Sequence, residues 1–92
     1  MTESIEAIPS VDAAEMRRLR WQCRRGMREL DVMLERYLAQ QYPQDDLATR
    51  EVFLALLKRQ DPEIASWVLG RETPADPATV ALVDRLRNLY QS

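Results

Sequence analysis

The chain has 92 residues, of which 46% are hydrophobic and 30% are charged, and its formal net charge is -2. This length suits one small domain that buries about 60% of the surface its unfolded form exposes, and it leaves no room for a separate catalytic domain. With no histidine and one cysteine, the chain cannot build a zinc site or a His-assisted nucleophile, although carboxylates or the lone Lys58 remain formally able to act.

The charged residues are distributed unevenly along the chain. Six of the thirteen basic residues, all of them arginine, lie between positions 17 and 28. Residues 1–16 carry four acids and no base, and residues 29–92 carry eleven acids and seven bases. The small net charge therefore conceals a basic segment in an otherwise acidic chain. This pattern indicates a surface with both signs of charge, and by itself it does not identify a function.

Residues 1–11 show no sustained periodicity and contain Pro9, so we interpret them as a flexible arm before a helical domain at 12–92. The acidic N-terminus lacks the basic region and apolar core of a signal peptide. No apolar run approaches the roughly 20 residues that span a bilayer. One cysteine cannot form an internal disulfide, which is typical of a reducing compartment. We therefore expect a cytoplasmic protein without a membrane partner.

A first helix is predicted over residues 12–25. Asp12 followed by Glu15 is a capping-box pattern, in which each side chain bonds a backbone N–H of the first turn. The apolar residues of this helix recur at spacings of three and four and include a cysteine that we expect to be buried: Met16, Leu19 and Cys23. Trp21 does not share this face, so we expect it to be partly exposed and available to a partner.

Gly26 is predicted to end the first helix, because glycine readily takes the left-handed conformation of a helix C-cap. A second helix is predicted over 27–40, with Leu30, Leu34 and Tyr37 on its apolar face. It should end at Tyr42-Pro43. The connection between these two helices is short, so they should be neighbours, with Gly26 at an exposed corner.

Three further helices are predicted at about 46–59, 62–69 and 77–90. Each follows an acidic residue suited to capping: Asp46, Asp61 and Asp76. The residues expected to be buried in them include Phe53, Leu56, Trp67, Val83, Leu86 and Tyr90. No strand-like alternation is present. The predicted fold is all-α, a small five-helix bundle that forms a single domain.

Two stretches and a short lead-in resemble a known family. Residues 24–31 read RRGMRELD, residues 61–70 read DPEIASWVLG, and residues 19–21 read LRW. In this order and at this spacing they resemble the signatures of the small flavinylation factors of succinate dehydrogenase, the SdhE or YgfY family. The resemblance covers about residues 15–90. Arg28 departs from it, since the family often has an apolar residue at this position.

The resemblance implies a five-helix bundle that is not an enzyme. Such proteins bind the flavoprotein subunit of succinate dehydrogenase, or of fumarate reductase, and assist its autocatalytic covalent attachment of FAD. FAD would then belong to the partner, so we assign no cofactor, no catalytic residue and no metal ligand to this chain, and we expect a monomer. The motif core falls on Arg25, Gly26 and Glu29. The full set of predicted partner-binding residues is Trp21, Arg24, Arg25, Gly26, Glu29 and Asp31.

Two alternative functions remain open from the residues alone. The first is a generic protein-interaction module, such as an antitoxin-like partner. The second is a small nucleic-acid-binding protein, because a basic helix can follow a phosphate backbone. The overall acidity, the single lysine and the acids within 29–35 oppose nucleic-acid binding, so we expect no nucleic-acid partner.

Overall fold

The computed structural model describes residues 10–91 and places five α-helices in them, with no strand in that range. The helices are α1 (Ala13–Gln22), α2 (Arg28–Gln40), α3 (Leu47–Leu57), α4 (Asp61–Val68) and α5 (Pro77–Gln91), with a short 3₁₀ turn at Tyr42–Gln44. The predicted all-α class is confirmed. The predicted flexible arm lies outside the described residues except for positions 10 and 11.

Acidic side chains cap three of the helices as predicted. The Asp12 carboxylate accepts from the Glu15 N–H at 2.8 Å, and Asp46 accepts from the Thr49 N–H at 2.8 Å. Asp76 does the same for the Thr79 N–H at 3.1 Å. Each carboxylate satisfies an N–H group that has no partner within its own helix, which fixes where these helices begin.

The predicted capping role of Asp61 is wrong. The residue before α4 is Gln60, which makes no side-chain cap, and Asp61 lies inside the first turn of the helix. Its carboxylate instead accepts from the Arg25 guanidinium at 2.7 Å. Asp61 therefore forms an ion pair with a residue distant in sequence and does not make the cap of α4 that its local spacing predicted.

The predicted end of the first helix is also wrong. α1 stops at Gln22, three residues before the predicted boundary, and Cys23 is its C-cap. Gly26 therefore does not cap this helix. It lies in a connecting loop at 23–27, with the left-handed φ of +83° that glycine tolerates. Arg24 and Arg25 belong to the same loop and not to the last turn of α1.

The core forms around α5, which packs against α2, α3 and α4, while α1 packs on α2. An aromatic cluster lies within this core: the ring centroids of Tyr37 and Phe53 are 4.7 Å apart, and those of Tyr42 and Phe53 are 5.5 Å apart. Trp67 and Cys23 are buried, as predicted. Tyr90 is 40% exposed, which contradicts its expected burial, because it borders an open recess between α2 and the end of α4.

Within residues 10–91, no helix is both long enough and apolar enough to cross a bilayer.

Candidate functional site

The residues that carry the first signature meet at a turn between α1 and α2, which we call the 24–31 corner. Gly26 is exposed at its tip, and a Cβ atom built on it would meet nothing within 4 Å. The positive φ of Gly26 suits glycine far better than a residue with a Cβ atom, and the open surroundings leave its backbone accessible. Another protein backbone can therefore approach this tip closely.

Trp21 and Arg24 form the exposed flank of the corner on the α1 side. The Trp21 side chain is 72% exposed, which confirms the predicted exposure, and the Arg24 guanidinium lies 5.3 Å from its ring centroid. Arg24 also approaches the Glu35 carboxylate at 3.7 Å, and the Glu35 side chain is partly buried. The flank offers an aromatic face beside a charged planar group, a pair that is common in protein interfaces.

Two arginines that were not among the predicted site residues extend this flank. Arg17 and Arg20 line a shallow recess of about 170 Å³ together with Trp21 and Arg24. They lie one turn of α1 or less from Trp21, so they present guanidinium groups around the same indole. The clustering of arginine between positions 17 and 28 was the sequence signal that pointed to them.

Glu29 lies on the other side of the corner, exposed in the first turn of α2. It borders a second recess, of about 250 Å³, whose wall includes Val68 and Leu69 from the end of α4 and Tyr90 from the end of α5. Leu69 is exposed, as Tyr90 is. The sequence did not place these residues near Glu29, because they come from distant parts of the chain.

Arg25 and Asp31 face inward, unlike the other predicted site residues. The Arg25 side chain is 13% exposed, and its donors are directed at groups of this same chain. The Asp31 carboxylate accepts from the backbone N–H of Arg25 at 2.8 Å and from that of Gly26 at 3.2 Å. The structure thus separates the predicted site into an exposed set and an internally bonded pair.

The cysteine beside the corner is not available to solvent, and the corner holds no metal-binding group. Cys23, which directly precedes the corner in the chain, is fully buried, and its burial raises the pKa of the thiol to about 12, so it is protonated at neutral pH. Among the described residues, no group of His, Cys, Asp and Glu could hold a metal ion. What the corner presents is guanidinium donors, a carboxylate, an indole face and an open backbone.

Comparison with known proteins identifies one family. The model of the family described as "Flavinator of succinate dehydrogenase" matches residues 17–90, which contain all five helices except the first turn of α1 and the last residue of α5. The match includes the whole 24–31 corner and the second signature at 61–70.

Curated relatives agree with this match. The FAD assembly factor SdhE of Xylella fastidiosa strain 9a5c is 42% identical over 82 residues, which cover 88% of this chain and 84% of that protein. The protein of the same name from Methylococcus capsulatus is 43% identical over 72 residues, 78% of this chain and 87% of the relative. That of Coxiella burnetii is 34% identical over 73 residues, 79% of this chain and 89% of the relative.

Proposed function

Because the chain belongs to the family of flavinators of succinate dehydrogenase, we propose that it is an assembly factor for a flavoprotein. It binds the flavoprotein subunit of succinate dehydrogenase, or of fumarate reductase, and promotes the covalent attachment of FAD to that subunit. FAD stays with the partner, and the bond forms on the partner, so this chain performs no catalytic step. It acts as a cytoplasmic monomer and binds neither nucleic acid nor membrane.

The observation that carries this proposal is the bare tip of the corner. Gly26 is exposed at a positive φ with no neighbouring atom within 4 Å of its Cβ position. A glycine that served only packing would have atoms of its own chain against it, and this one has open space. The corner therefore has the form of a surface on which a partner backbone can lie.

The exposed side chains around the tip supply specific contacts. Arg24 can donate two parallel hydrogen bonds to a carboxylate of the flavoprotein, and Glu29 can accept from its basic or amide groups. Trp21 offers a broad apolar face that loses little conformational freedom on binding. Trp21 and Arg24 precede Gly26 in the chain and Glu29 follows it, so a partner segment that crosses the tip would have exposed side chains on both sides.

The corner would act by selecting a conformation of the flavoprotein. If the subunit exists in forms that differ in how well they hold FAD against its acceptor residue, an assembly factor that binds the competent form better increases its population. The rate of autocatalytic attachment then rises in proportion to that population. No reactive group of the assembly factor is needed, which agrees with the protonated, buried Cys23.

The test is the covalent flavin content of the succinate dehydrogenase flavoprotein in cells with and without this chain. Covalent flavin survives denaturation, so in-gel fluorescence of the denatured subunit reports attachment directly. Deletion should lower the signal, the wild-type chain should restore it, and Gly26→Arg should not, because a long charged side chain would occupy the tip.

Gly26→Ala is the matched control. It imposes a similar backbone strain at positive φ but adds only one methyl group in open space, so it should restore most of the signal. If deletion leaves the flavin signal unchanged, the assembly role is wrong. Affinity purification would then ask whether the chain binds another protein as a generic interaction module.

A further inference from the structure

We propose that Arg25, Asp31 and Asp61 form an internal brace that positions the corner, and that they do not contact the partner. This inference rests on the proposed function, since it concerns how the partner-binding surface is held. It differs from the assignment that the first signature suggests, in which Arg25 and Asp31 are contact residues like Gly26 and Glu29. The distinction follows from where their polar atoms are directed.

Arg25 fastens the corner to the connection between α3 and α4. Its Nη1 donates to Asp61 Oδ1 at 2.7 Å and to the Arg59 carbonyl at 3.1 Å, and its Nη2 donates to the Leu57 carbonyl. Leu57 is the last residue of α3, so Arg25 bonds carbonyl groups that lack partners at that helix end and opposes its negative dipole. Its Nε donates to the Gln22 carbonyl at 2.9 Å, at the end of α1.

These bonds leave little of Arg25 for another protein. All three guanidinium nitrogens donate within the chain, and the side chain is 13% exposed. To reach a partner it would have to abandon a charge-assisted pair and carbonyls that would lose their donors. Arg24, the adjacent arginine, is 58% exposed and lies beside Trp21, so it is the arginine suited to contact.

Asp31 fixes the same loop from α2. Its two carboxylate oxygens accept from consecutive N–H groups, those of Arg25 and Gly26, at 2.8 and 3.2 Å. The two peptide groups that lead into the tip are therefore tied to the first turn of α2, while the Arg25 side chain ties the loop to α3 and α4. A loop held from two directions loses less entropy when a partner binds it, which raises affinity.

The brace also joins the two sequence signatures. Asp61 is the first residue of the second signature, and its pair with Arg25 crosses 36 positions of sequence. Asp61 of the second signature therefore positions Arg25 of the first signature. It contributes to partner binding in this way without contacting the partner. Glu63, two residues later in the same helix turn, pairs instead with Arg59 at 3.5 Å and has no bond to the corner.

A double-mutant cycle tests this proposal. Binding of the purified apo-flavoprotein subunit is measured for the wild type, Arg25→Gln, Asp61→Asn and the double variant, well below the unfolding temperature of each. Each single change should raise Kd about tenfold, equivalent to about 1.4 kcal/mol. The double variant should be no worse than about tenfold, because both changes release the same brace. Amide exchange at Gly26 in the unbound chain should accelerate in all three variants.

Glu63→Gln is the matched control. It removes an acid from the same first turn of α4, where either acid is favoured by the helix dipole, yet it does not touch Arg25, so Kd should stay within about twofold. An additive, roughly hundredfold loss in the double variant would mean that Arg25 contacts the partner and would overturn the brace. The brace would also be overturned if the Asp61→Asn variant bound the flavoprotein as tightly as the Glu63→Gln variant does. If the wild-type chain binds no flavoprotein, the proposed function is wrong, and the proposed role of the brace in partner binding is wrong as well.

Discussion

Gly26 and Gly70 have nearly the same backbone conformation and different tasks. Their φ angles are +83° and +79°. Gly70 follows α4, where the Gly70 N–H bonds the Trp67 carbonyl and the Arg71 N–H bonds the Ser66 carbonyl, the pattern of a Schellman cap. Gly26 ends no helix. A glycine in a signature can therefore close a helix or expose a backbone, and only the surroundings distinguish the two.

The shared φ leads to a prediction about stability. Gly26→Ala and Gly70→Ala should each lower the free energy of unfolding by about 1–2 kcal/mol, because both force an L-residue into the left-handed region. Urea titration of the two variants measures this directly. The Gly70 substitution also brings a Cβ to 3.5 Å from the Arg87 guanidinium, an ordinary contact that adds little. A Gly26→Ala variant as stable as the wild type would contradict the positive φ at the tip.

At the scale of elements, the starts of the helices could be predicted from local chemistry and the ends less well. Asp12, Asp46 and Asp76 act within three residues of themselves, so spacing alone revealed them. The end of α1 was missed because no breaker stands between Gln22 and Gly26. Beyond Gln22 the Arg25 N–H bonds the Asp31 carboxylate and the Arg25 side chain bonds Asp61, and local spacing reveals neither contact.

In the candidate site, too, features set by local spacing could be predicted and features set by long-range contacts could not. Exposure of Trp21 could be predicted from its position off the apolar face of α1. The inward orientation of Arg25 could not, since RRG places two like residues side by side and nothing in the spacing tells which one faces solvent. Likewise, the neighbours of Glu29 come from α4 and α5 and appear only when the bundle is assembled.

The 3₁₀ turn between α2 and α3 depends on a buried charge. Arg50 is 6% exposed, and its guanidinium donates to the Tyr42 carbonyl at 3.1 Å and to the Pro43 carbonyl at 2.8 Å. It also lies 5.3 Å from the Tyr42 ring centroid. The Tyr42 carbonyl also accepts from the Asp45 N–H at 3.2 Å, so the guanidinium from α3 adds a second donor there and a donor to the Pro43 carbonyl.

Replacing this arginine should weaken the whole fold. Arg50→Met retains much of the side-chain volume but removes the guanidinium donor from the Tyr42 and Pro43 carbonyls, and the Asp45 N–H remains to bond only the first of them, so we expect the free energy of unfolding to fall by about 1.5–3 kcal/mol. Thermal and urea unfolding measure the loss. Arg36→Met is a suitable comparison, since Arg36 bonds the Leu89 carbonyl from an exposed position and should cost much less. Equal losses in the two variants would contradict the importance of burial.

At the scale of the whole molecule, several weak acids are held protonated in the core. Burial raises the pKa of Cys23 from 9.0 to about 12, with Glu35 and Asp31 adding to the effect. Burial also raises the pKa of Tyr37, and its hydroxyl donates to the Asp45 carboxylate, which reinforces the shift. The pKa of Tyr42 is raised mainly by burial as well. The folded chain therefore retains protons that the unfolded chain loses above pH 9.

Stability should accordingly decrease in alkali. Below pH 9 these groups are protonated in both the folded and the unfolded chain, and their contribution to the free energy of unfolding is complete. From pH 9 toward 12 the free energy of unfolding should fall, by up to about 1.4 kcal/mol per pH unit for each proton that only the folded chain retains. Urea titrations between pH 8 and 11 measure the slope. Cys23→Ala should make it shallower. An unchanged free energy of unfolding up to pH 11 would contradict the raised pKa values.

The two tryptophans can serve as intrinsic fluorescence probes of different parts of the molecule. Trp21 is 72% exposed on the candidate surface and Trp67 is 8% exposed in the core. An indole in water emits at longer wavelength than one in an apolar interior, so the emission spectrum is the sum of a red component from Trp21 and a blue component from Trp67. In a Trp67→Phe variant the only tryptophan emission comes from Trp21, which a bound partner can shift. A Trp21→Phe chain would report only folding, which separates the two events without any attached dye.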